Sequence, residues 1–285
     1  MKIDIICPLY NAEKDIERLH RGILKQKNVE INNIKYILTD SKDNTEELLK
    51  KLKIEYTKIN KEEFSHSLTR EQAALSSKAD IVVFTTQDII IEREDWLYNL
   101  TKDISDGKVQ ACFSRQLCTN NTIEKYTREK NYPNKSRIVS KENIKELGLQ
   151  TFFFSDAASA INRKIFEELN GYDGKNLPTN EDMYIAYKLI TKGYKIKYCA
   201  DSEVIHSHTF TLKQLYKRYY DTGLFFGMNS FLDKYGTTKA GGGMAKYILK
   251  RAIQDKNIKV LLNFIPNMAV RYIGMKKGKK DGRKR

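Results

Sequence analysis

Apolar positions in the first half of the chain alternate between two spacings. Short runs rich in β-branched residues predict strands, and apolar residues three and four positions apart predict amphipathic helices. The predicted strands cover residues 2–7, 34–39, 54–58, 80–86 and 109–113. The predicted helices cover residues 12–25, 46–52, 68–77 and 93–104. Because strands alternate with helices, the pattern predicts an α/β fold with a mostly parallel central sheet and helices on both faces.

Polar residues follow three of the predicted strands. The first strand is followed by Tyr10 and Asn11, the second by Asp40, and the fourth by Gln87 and Asp88. The carboxyl ends of parallel strands meet at one edge of a sheet, where open α/β folds bind their ligands, so we expect a ligand site there. The glycine pattern GxGxxG is absent from the sequence, which disfavours the usual dinucleotide-binding fold.

Composition narrows the class of protein. The chain has 285 residues, of which 40% are hydrophobic, and this is enough for one large core. No apolar run reaches the roughly 18–20 residues of a membrane span, and the first residues lack the long apolar segment of a signal peptide. The four cysteines are scattered, with no CxxC pair. We therefore expect a cytoplasmic chain without a disulfide framework or a zinc site.

The formal net charge of +15 lies mostly at one end of the chain. Residues 240–285 hold 13 Lys and Arg against 2 Asp and Glu, a net charge of +11. We divide the chain into a domain over residues 1–235 and a basic amphipathic helical extension over residues 236–285. Two apolar groups lie in the extension: Tyr247, Ile248, Leu249, Ala252 and Ile253, and then Val260, Leu261, Leu262, Phe264 and Ile265. This pattern favours peripheral attachment to an anionic membrane surface, and the alternative is a solvated tail behind a helix that packs on the domain.

Several segments resemble family 2 glycosyltransferases, which have the GT-A fold. The N-terminal segments CPLYN (7–11) and TDSKDNT (39–45) resemble the nucleotide-sugar-binding start of that family. Others resemble its rhamnosyltransferase-like branch: FSHSLTREQAA (64–74), TTQD (85–88), FSDAASAINRKIFEELNGYDGKNLPTNED (154–182), KGYKIKY (192–198), VIHSH (204–208) and RYYDTGLFF (218–226). The resemblance covers about residues 1–230. It implies a GT-A-like sheet and transfer of a sugar from a nucleoside diphosphate.

The resemblance also implies a donor site and a metal site. A divalent cation that bridges the two phosphates neutralises the charge of the leaving group, and Mg²⁺ or Mn²⁺ takes oxygen ligands from carboxylates. Asp88 follows a buried strand and is the predicted carboxylate ligand. The resemblance implies a late histidine as a second ligand, His208 or, less favoured, His206, and we place this pair on one face of a strand. The donor-binding residues that we predict are Pro8, Tyr10, Asn11, Asp40, His66, Arg70, Gln87, Asp88 and Asp156.

The Glu-Asp pair at 181–182 supplies the predicted catalytic base. An inverting transfer needs a carboxylate that takes the proton of the attacking hydroxyl. The resemblance favours Asp182 for this role, with Glu181 in reserve. The same residues also read as a helix start, with Thr179 as the N-cap, and the two interpretations are compatible.

The predicted function is inverting transfer of a sugar, L-rhamnose from dTDP-L-rhamnose, to a hydroxyl of a growing surface polysaccharide or a lipid-linked saccharide. The rhamnose assignment rests on the resemblance alone, and another UDP- or dTDP-sugar is the runner-up. Two other classes of protein are remote. A sugar nucleotidyltransferase needs a glycine-rich basic loop near the N-terminus, which this sequence lacks. A nucleic-acid-binding protein usually spreads its basic residues over a folded face, so we expect no nucleic acid as a partner.

Overall fold

One mixed sheet forms the centre of the molecule in a computed structural model. The model describes residues 1–285, apart from the side chains of residues 237–241. In this described chain eight strands form the sheet: β1 (Lys2–Leu9), β2 (Glu30–Thr39), β3 (Tyr56–Ile59), β4 (Ile81–Thr85), β5 (Ala111–Leu117), β6 (Arg137–Val139), β7 (Ala158–Asn162) and β8 (Ile196–Ile205). Their order across the sheet is β3-β2-β1-β4-β7-β5-β8-β6. Only β7 and β6 run antiparallel to their neighbours.

Helices connect the strands and continue beyond the last one. They are α1 (Ile16–Leu24), α2 (Thr45–Lys51), α3 (His66–Leu75), α4 (Trp96–Ser105), α5 (Ile123–Asn131), α6 (Ile144–Leu147), α7 (Arg163–Glu168), α8 (Glu181–Thr191), α9 (Leu212–Met228), α10 (Thr237–Gln254) and α11 (Ile258–Gly282). Short 3₁₀ segments lie at Lys141–Asn143, Gly148–Phe152 and Ser230–Tyr235. In the chain as described, no helix is long and apolar enough to cross a bilayer.

The sheet separates two hydrophobic cores. One core packs side chains of α1, α2 and α4 on one face, and the other packs side chains of α3, α7 and α8 on the opposite face. The central strands β1 and β4 are almost continuously apolar because both of their faces are covered. The predicted alternation is confirmed, although β2 begins four residues earlier than predicted and α4 begins three residues later.

The helices α9 and α11 lie against each other with their backbones in contact. Gly274, Gly278 and Gly282 of α11 face α9, and Gly223 and Gly227 of α9 face α11. A Cβ atom on Gly278 would lie 1.9 Å from the carbonyl oxygen of Tyr220. Since any larger side chain would push the helices apart, the glycines allow this close approach. We call these five glycines the glycine seam.

Side chains from the rest of the fold also hold the C-terminal helices. The guanidinium of Arg271 in α11 lies 2.6 Å from the carboxylate of Glu124 in α5, and Arg251 in α10 lies 2.7 Å from Glu129. Ile248 and Ala252 of α10 are buried against α5. The helical extension is therefore present and is packed on the body, while the boundary between residues 235 and 236 stays a prediction.

Candidate active site

The parallel strands end at one edge of the sheet, which we call the rim. β1, β2 and β4 are parallel, and β7 runs antiparallel to both β4 and β5. Therefore β5 and its parallel partner β8 point the same way as β4. The loops after β1, β2, β4, β5 and β8 meet at the rim, together with the loop that leads into β7.

Gln87 ties two of these loops together. The backbone N–H of Tyr10 donates to Gln87 Oε1 at 2.8 Å, and Gln87 Nε2 donates to the carbonyl of Tyr10 at 2.9 Å. Asn11 has a left-handed φ of 50°, and its N–H donates to Ser41 Oγ at 2.9 Å. Pro8 is the penultimate residue of β1. Tyr10, Asn11 and Gln87 thus form one unit, which a hydrogen bond joins to the loop after β2.

Asp40 lies at the rim after β2, near the edge of the sheet. Its side chain is half exposed, and Lys58 Nζ lies 3.3 Å from its carboxylate. Lys58 also binds Glu46 at 2.7 Å. The carboxylate oxygens of Asp40 remain open to a ligand on the solvent side.

Asp88, His206 and His208 come together at the rim, and we call them the cation cluster. Their ligand atoms lie within 4.8 Å of one another. Asp88 Oδ1 is 3.4 Å from His206 Nε2, and Asp88 Oδ2 is 3.6 Å from His208 Nδ1. Both histidines lie just beyond β8, which ends at Ile205, so their predicted place within a strand is wrong. The structure brings His206, the less favoured candidate, as close to Asp88 as His208.

The cation cluster has the electrostatics of a metal site. Burial lowers the pKa of His206, and burial together with His206 lowers the pKa of His208 to about 4. Burial by itself would raise the pKa of Asp88, but His206, His208 and Thr86 together outweigh burial and hold that pKa well below its usual range. At neutral pH the cluster offers one carboxylate and two neutral imidazoles, a donor set that fits a divalent cation.

Two residues that contact His206 were not predicted from the sequence. Gln116 on β5 has its Oε1 atom 2.8 Å from His206 Nδ1, and Arg128 on α5 donates to the same Oε1 atom. Arg128 also lies 3.2 Å from His206 Nδ1. Gln116 Nε2 donates to Ser155 Oγ at 2.8 Å. The available signal was a glutamine near the end of a buried strand, where a polar side chain needs a partner.

A second group of acidic side chains lies beside the loop that leads into β7. We call Asp156, Glu181 and Asp182 the carboxyl cluster. Asp156 is buried, and it accepts hydrogen bonds from Tyr172 at 2.8 Å and Ser159 at 2.7 Å. Asp182 accepts from the backbone N–H groups of Met183 and Asp156.

Arg70 lies inside this second group. Its guanidinium lies 3.3 Å from Glu181 and donates to the carbonyl of His66 at 2.9 Å. Only 3% of Arg70 is exposed, and among the described residues its Nε atom has no hydrogen-bond partner. The side chain of His66, the first residue of α3, is exposed. The structure thus places Arg70 beside Glu181, the reserve candidate for the base, and the predicted contact of Arg70 with the donor remains a prediction.

Two aspartates of the carboxyl cluster have raised pKa values. Burial raises the pKa of Asp156 to about 6, although Arg70 opposes the shift. Burial, Glu181 and Asp156 together raise the pKa of Asp182 well above its usual range. Part of the Asp182 side chain nevertheless reaches solvent, whereas Glu181 is buried. A carboxyl group with a raised pKa binds a proton more readily than an ordinary aspartate does.

The turn before α8 fixes Glu181 and Asp182 in the first turn of that helix. The N-cap is Asn180, whose φ of 61° is left-handed, so the interpretation of Thr179 as the N-cap is wrong. Asparagine tolerates this conformation better than most residues. A helix N-terminus favours a carboxylate, but for Asp182 burial outweighs that effect.

Comparison with known sequences identifies close relatives. The family model described as "Glycosyl transferase family 2" matches residues 4–170. The O-antigen chain rhamnosyltransferase RfbN of Salmonella typhimurium is 36% identical over 259 residues, which are 89% of this chain and 81% of that protein. The O-antigen chain rhamnosyltransferase WbaN of Salmonella anatum is 35% identical over 256 residues, covering 88% and 79%.

Solved structures share the fold. A mannosyltransferase, PcManGT from Pyrobaculum calidifontis, solved with GDP-Man and Mn²⁺, superposes with a TM-score of 0.65, covering 98% of this chain and 86% of that one. TarS of S. aureus, solved with UDP-GlcNAc, superposes with a TM-score of 0.57, covering 100% and 92%. Both are 14% identical to this chain, so they bear on the fold alone, and the predicted fold class is confirmed.

Proposed function

Because the chain belongs to glycosyl transferase family 2 and is a glycosyltransferase with a GT-A-like fold, we propose that it transfers L-rhamnose from dTDP-L-rhamnose. The acceptor is a hydroxyl of a growing cell-surface polysaccharide or a lipid-linked saccharide. The observation that carries the proposal is identity of 35–36% with two O-antigen rhamnosyltransferases over nearly nine-tenths of the chain.

The cation cluster is the proposed diphosphate end of the donor site. Asp88, His206 and His208 would hold a divalent cation, Mg²⁺ or Mn²⁺. When bound, such an ion neutralises negative charge on a diphosphate leaving group. The chain itself prepares this site, since Asp88 is ionised and both imidazoles are neutral at physiological pH.

The other rim residues are assigned to the nucleoside and the sugar. The half-exposed carboxylate of Asp40 accepts the imide N–H of thymine. The hydrogen-bonded unit of Tyr10, Asn11 and Gln87, with Pro8 beneath it, forms the floor of the donor site. His66 and Asp156 line the side near the sugar, and Arg70 holds Glu181 beside them.

Asp182 is the proposed base. In the transfer the acceptor oxygen bonds to the anomeric carbon, the bond from that carbon to the diphosphate breaks, and the acceptor proton passes to Asp182. Attack opposite to the leaving group inverts the anomeric centre. Glu181 is less suited to this role because it is buried and paired with Arg70, whereas Asp182 is reachable and has a raised pKa.

We also propose that the reaction takes place in the cytoplasm, at the inner face of the cell membrane. A lipid-linked acceptor would be found there, and the net charge of +11 over residues 240–285 suits an anionic leaflet.

A donor screen tests the rhamnose assignment. Titration calorimetry in MnCl₂ compares dTDP-L-rhamnose with UDP-glucose, UDP-GlcNAc and GDP-mannose. We expect the tightest binding for dTDP-L-rhamnose. Tighter binding of another UDP- or dTDP-sugar would replace rhamnose by the runner-up.

The role of Asp182 is tested separately. Asp182→Asn should retain donor binding and lose transfer, and Asp173→Asn, a change in an aspartate that pairs with Lys188, is the matched control.

A further inference from the structure

One face of α11 is apolar and exposed to solvent. Its large side chains recur at the spacing that places them on one side of a helix, about 100° per residue. They are Ile258 (68% exposed), Leu262 (76%), Ile265 (77%), Tyr272 (67%) and Ile273 (55%). Pro266 and Ala269 lie between them on the same face and are also exposed. We call this surface the α11 apolar face.

The apolar groups predicted from sequence are divided differently in the structure. Ile248, Ala252 and Val260 are buried in a small core with Ile123 and Tyr126. Leu262 and Ile265, which were grouped with Val260, point away from that core and are exposed. The exposed face is thus separate from the faces that attach the helices to the body.

Lysines accompany the apolar face. Lys276 and Lys280 continue the same side of α11 toward its end, and Lys259 lies beside its start. These three side chains are exposed and have no ion-pair partner among the residues whose side chains the structure describes. With a net charge of +11 over residues 240–285, a second copy of the chain would meet strong repulsion here. An anionic lipid surface satisfies both the apolar and the basic side chains.

The apolar face begins at a cavity next to the loop after β5. Ile258 lines a cavity of about 700 Å³ together with Asn257 and the loop after β5. In that loop, Asn120 Nδ2 donates to the carbonyl of His208 at 2.7 Å. A surface in contact with the α11 apolar face therefore lies next to the rim.

We propose that the α11 apolar face docks the protein on an anionic bilayer, an inference that rests on the proposed function for its place in the reaction. The side chains of Ile258, Leu262, Ile265, Tyr272 and Ile273 enter the interface between headgroups and acyl chains. Lys259, Lys276 and Lys280 contact anionic headgroups. Ile248 and Ala252 of the first sequence group are buried and make no lipid contact, and the exposed Leu249 and Ile253 of that group lie on α10, outside this face.

Vesicle co-flotation of the full chain tests the inference. The vesicles contain equal parts of phosphatidylglycerol and phosphatidylcholine, or phosphatidylcholine alone, and no donor is added. We expect binding to the anionic vesicles only, and a loss of about tenfold in the Leu262→Ser/Ile265→Ser variant. Leu24→Ser, a change in another exposed apolar side chain, should bind as the unaltered chain does.

Three results would overturn the docking surface. They are equal flotation of Leu262→Ser/Ile265→Ser and the unaltered chain, no flotation of the unaltered chain, and a dimer in light scattering that the double variant splits. Calorimetry with dTDP-L-rhamnose separates this failure from failure of the proposed function. Donor binding should be the same in the double variant and the unaltered chain.

A second inference concerns Gln116, whose contacts are independent of α11. Its Nε2 atom is committed to Ser155, so its Oε1 atom faces His206 Nδ1 at 2.8 Å. Two groups face Nδ1: the amide oxygen, which can only accept, at 2.8 Å, and the guanidinium of Arg128, which can only donate, at 3.2 Å. The contact with the amide oxygen is the shorter one, and we therefore assign the hydrogen to Nδ1. That tautomer leaves the lone pair of His206 Nε2 directed at Asp88, on the side where a cation would bind.

The geometry points to Gln116 as the positioning residue of His206. It is 1% exposed and does not reach the rim itself, so it acts only through the imidazole. Partners of this kind fix the ring of a metal-binding histidine, and their loss lowers metal affinity about 10- to 100-fold.

Two substitutions separate this role from simple packing. Gln116→Met keeps the size of the side chain and removes the acceptor, while Gln116→Glu keeps an acceptor oxygen. Mn²⁺ titration followed by electron paramagnetic resonance should show about tenfold weaker binding for Gln116→Met and near-unaltered binding for Gln116→Glu. Unchanged Mn²⁺ affinity in a folded Gln116→Met variant contradicts the inference.

The tautomer can be read without any variant. Nitrogen-15 NMR of the metal-free protein should show His206 with its proton on Nδ1. A proton on Nε2 in the unaltered chain overturns the assignment, even if Gln116→Met does not fold.

Discussion

The cation cluster and the carboxyl cluster lie at the same rim and are built around the same residue type, yet their aspartates shift in opposite directions. Burial acts alike on Asp88 and Asp182, since it raises the pKa of both. Their neighbours differ. Asp88 faces two imidazoles, whereas Asp182 faces two further carboxyls. The partners therefore account for the difference in sign, since they reverse the effect of burial at Asp88 and add to it at Asp182. This leaves a charged carboxylate in one cluster and a carboxyl group of raised pKa, the proposed base, in the other.

Removing the fixed charge should have the largest effect. Asp88→Ala leaves two neutral imidazoles, so we expect loss of measurable Mn²⁺ binding and a fall in kcat/KM of about 10⁴-fold. Calorimetry with Mn²⁺ and a transfer assay measure the two effects. Asp106→Asn, which alters an exposed aspartate paired with Lys108, is the matched control. Full Mn²⁺ affinity in Asp88→Ala would contradict the role of Asp88 as a cation ligand.

Removing the proton acceptor should leave binding intact. In Asp182→Asn we expect transfer to fall about 10²- to 10⁴-fold, the range of general-base catalysis, with donor affinity unchanged. Single-turnover transfer and donor calorimetry on the same variant measure both quantities. Glu181→Gln should cost less in the chemical step, and a larger loss there than in Asp182→Asn would exchange the roles of these two residues.

The pH profile should show the raised pKa directly. A base acts only when it has lost its proton, so kcat/KM should fall about tenfold per pH unit as the pH drops through the raised pKa of the carboxyl cluster. This acidic limb should lie above the range of an ordinary aspartate, about pH 4. Asp156→Asn removes a neighbouring carboxyl, which should lower the pKa of Asp182 and move the limb to lower pH. An unmoved limb in Asp156→Asn would contradict the coupling between the two groups.

The smallest effect is expected at the third rim carboxylate. Asp40 is half exposed and lies beside Lys58, so water screens its interactions. Asp40→Ala should weaken dTDP binding about fivefold, roughly 1 kcal/mol, with kcat unchanged. Calorimetry with dTDP measures the change, and Lys58→Ala tests whether it comes from the ion pair. A loss as large as that of Asp88→Ala would show that exposure to water does not weaken the contribution of Asp40.

The sheet could be predicted from sequence because β1 and β4 are almost continuous apolar runs, which are typical of strands covered on both faces. Asp88 could be placed since it directly follows such a run. The first residues of β2 and α4 could not be predicted from sequence, because they depend on contacts with distant segments. The same holds for β8, whose end at Ile205 decides that His206 and His208 lie in a loop.

Contacts between distant segments explain the remaining gaps. Gln116 and Arg128 meet His206 across 90 and 78 positions of sequence, and nothing local marks them. Arg70 has the chemistry of a phosphate ligand, and only the fold reveals its pairing with Glu181. The glycines of α11 gave no local signal of α9, since the facing residues lie about 55 positions earlier.

The glycine seam has a mechanical consequence. At Gly274, Gly278 and Gly282 no side chain separates α11 from α9, so no rotamer change can alter the spacing of the two helices. α9 in turn carries Arg218 and Asp221, whose charges act on His66 near the carboxyl cluster. A bilayer bound to the outer side of α11 would therefore set the distance between the lipid surface and the reacting sugar, because the paired helices α9 and α11 connect the two rigidly. That distance would in turn fix the length of carrier or saccharide that can reach the base.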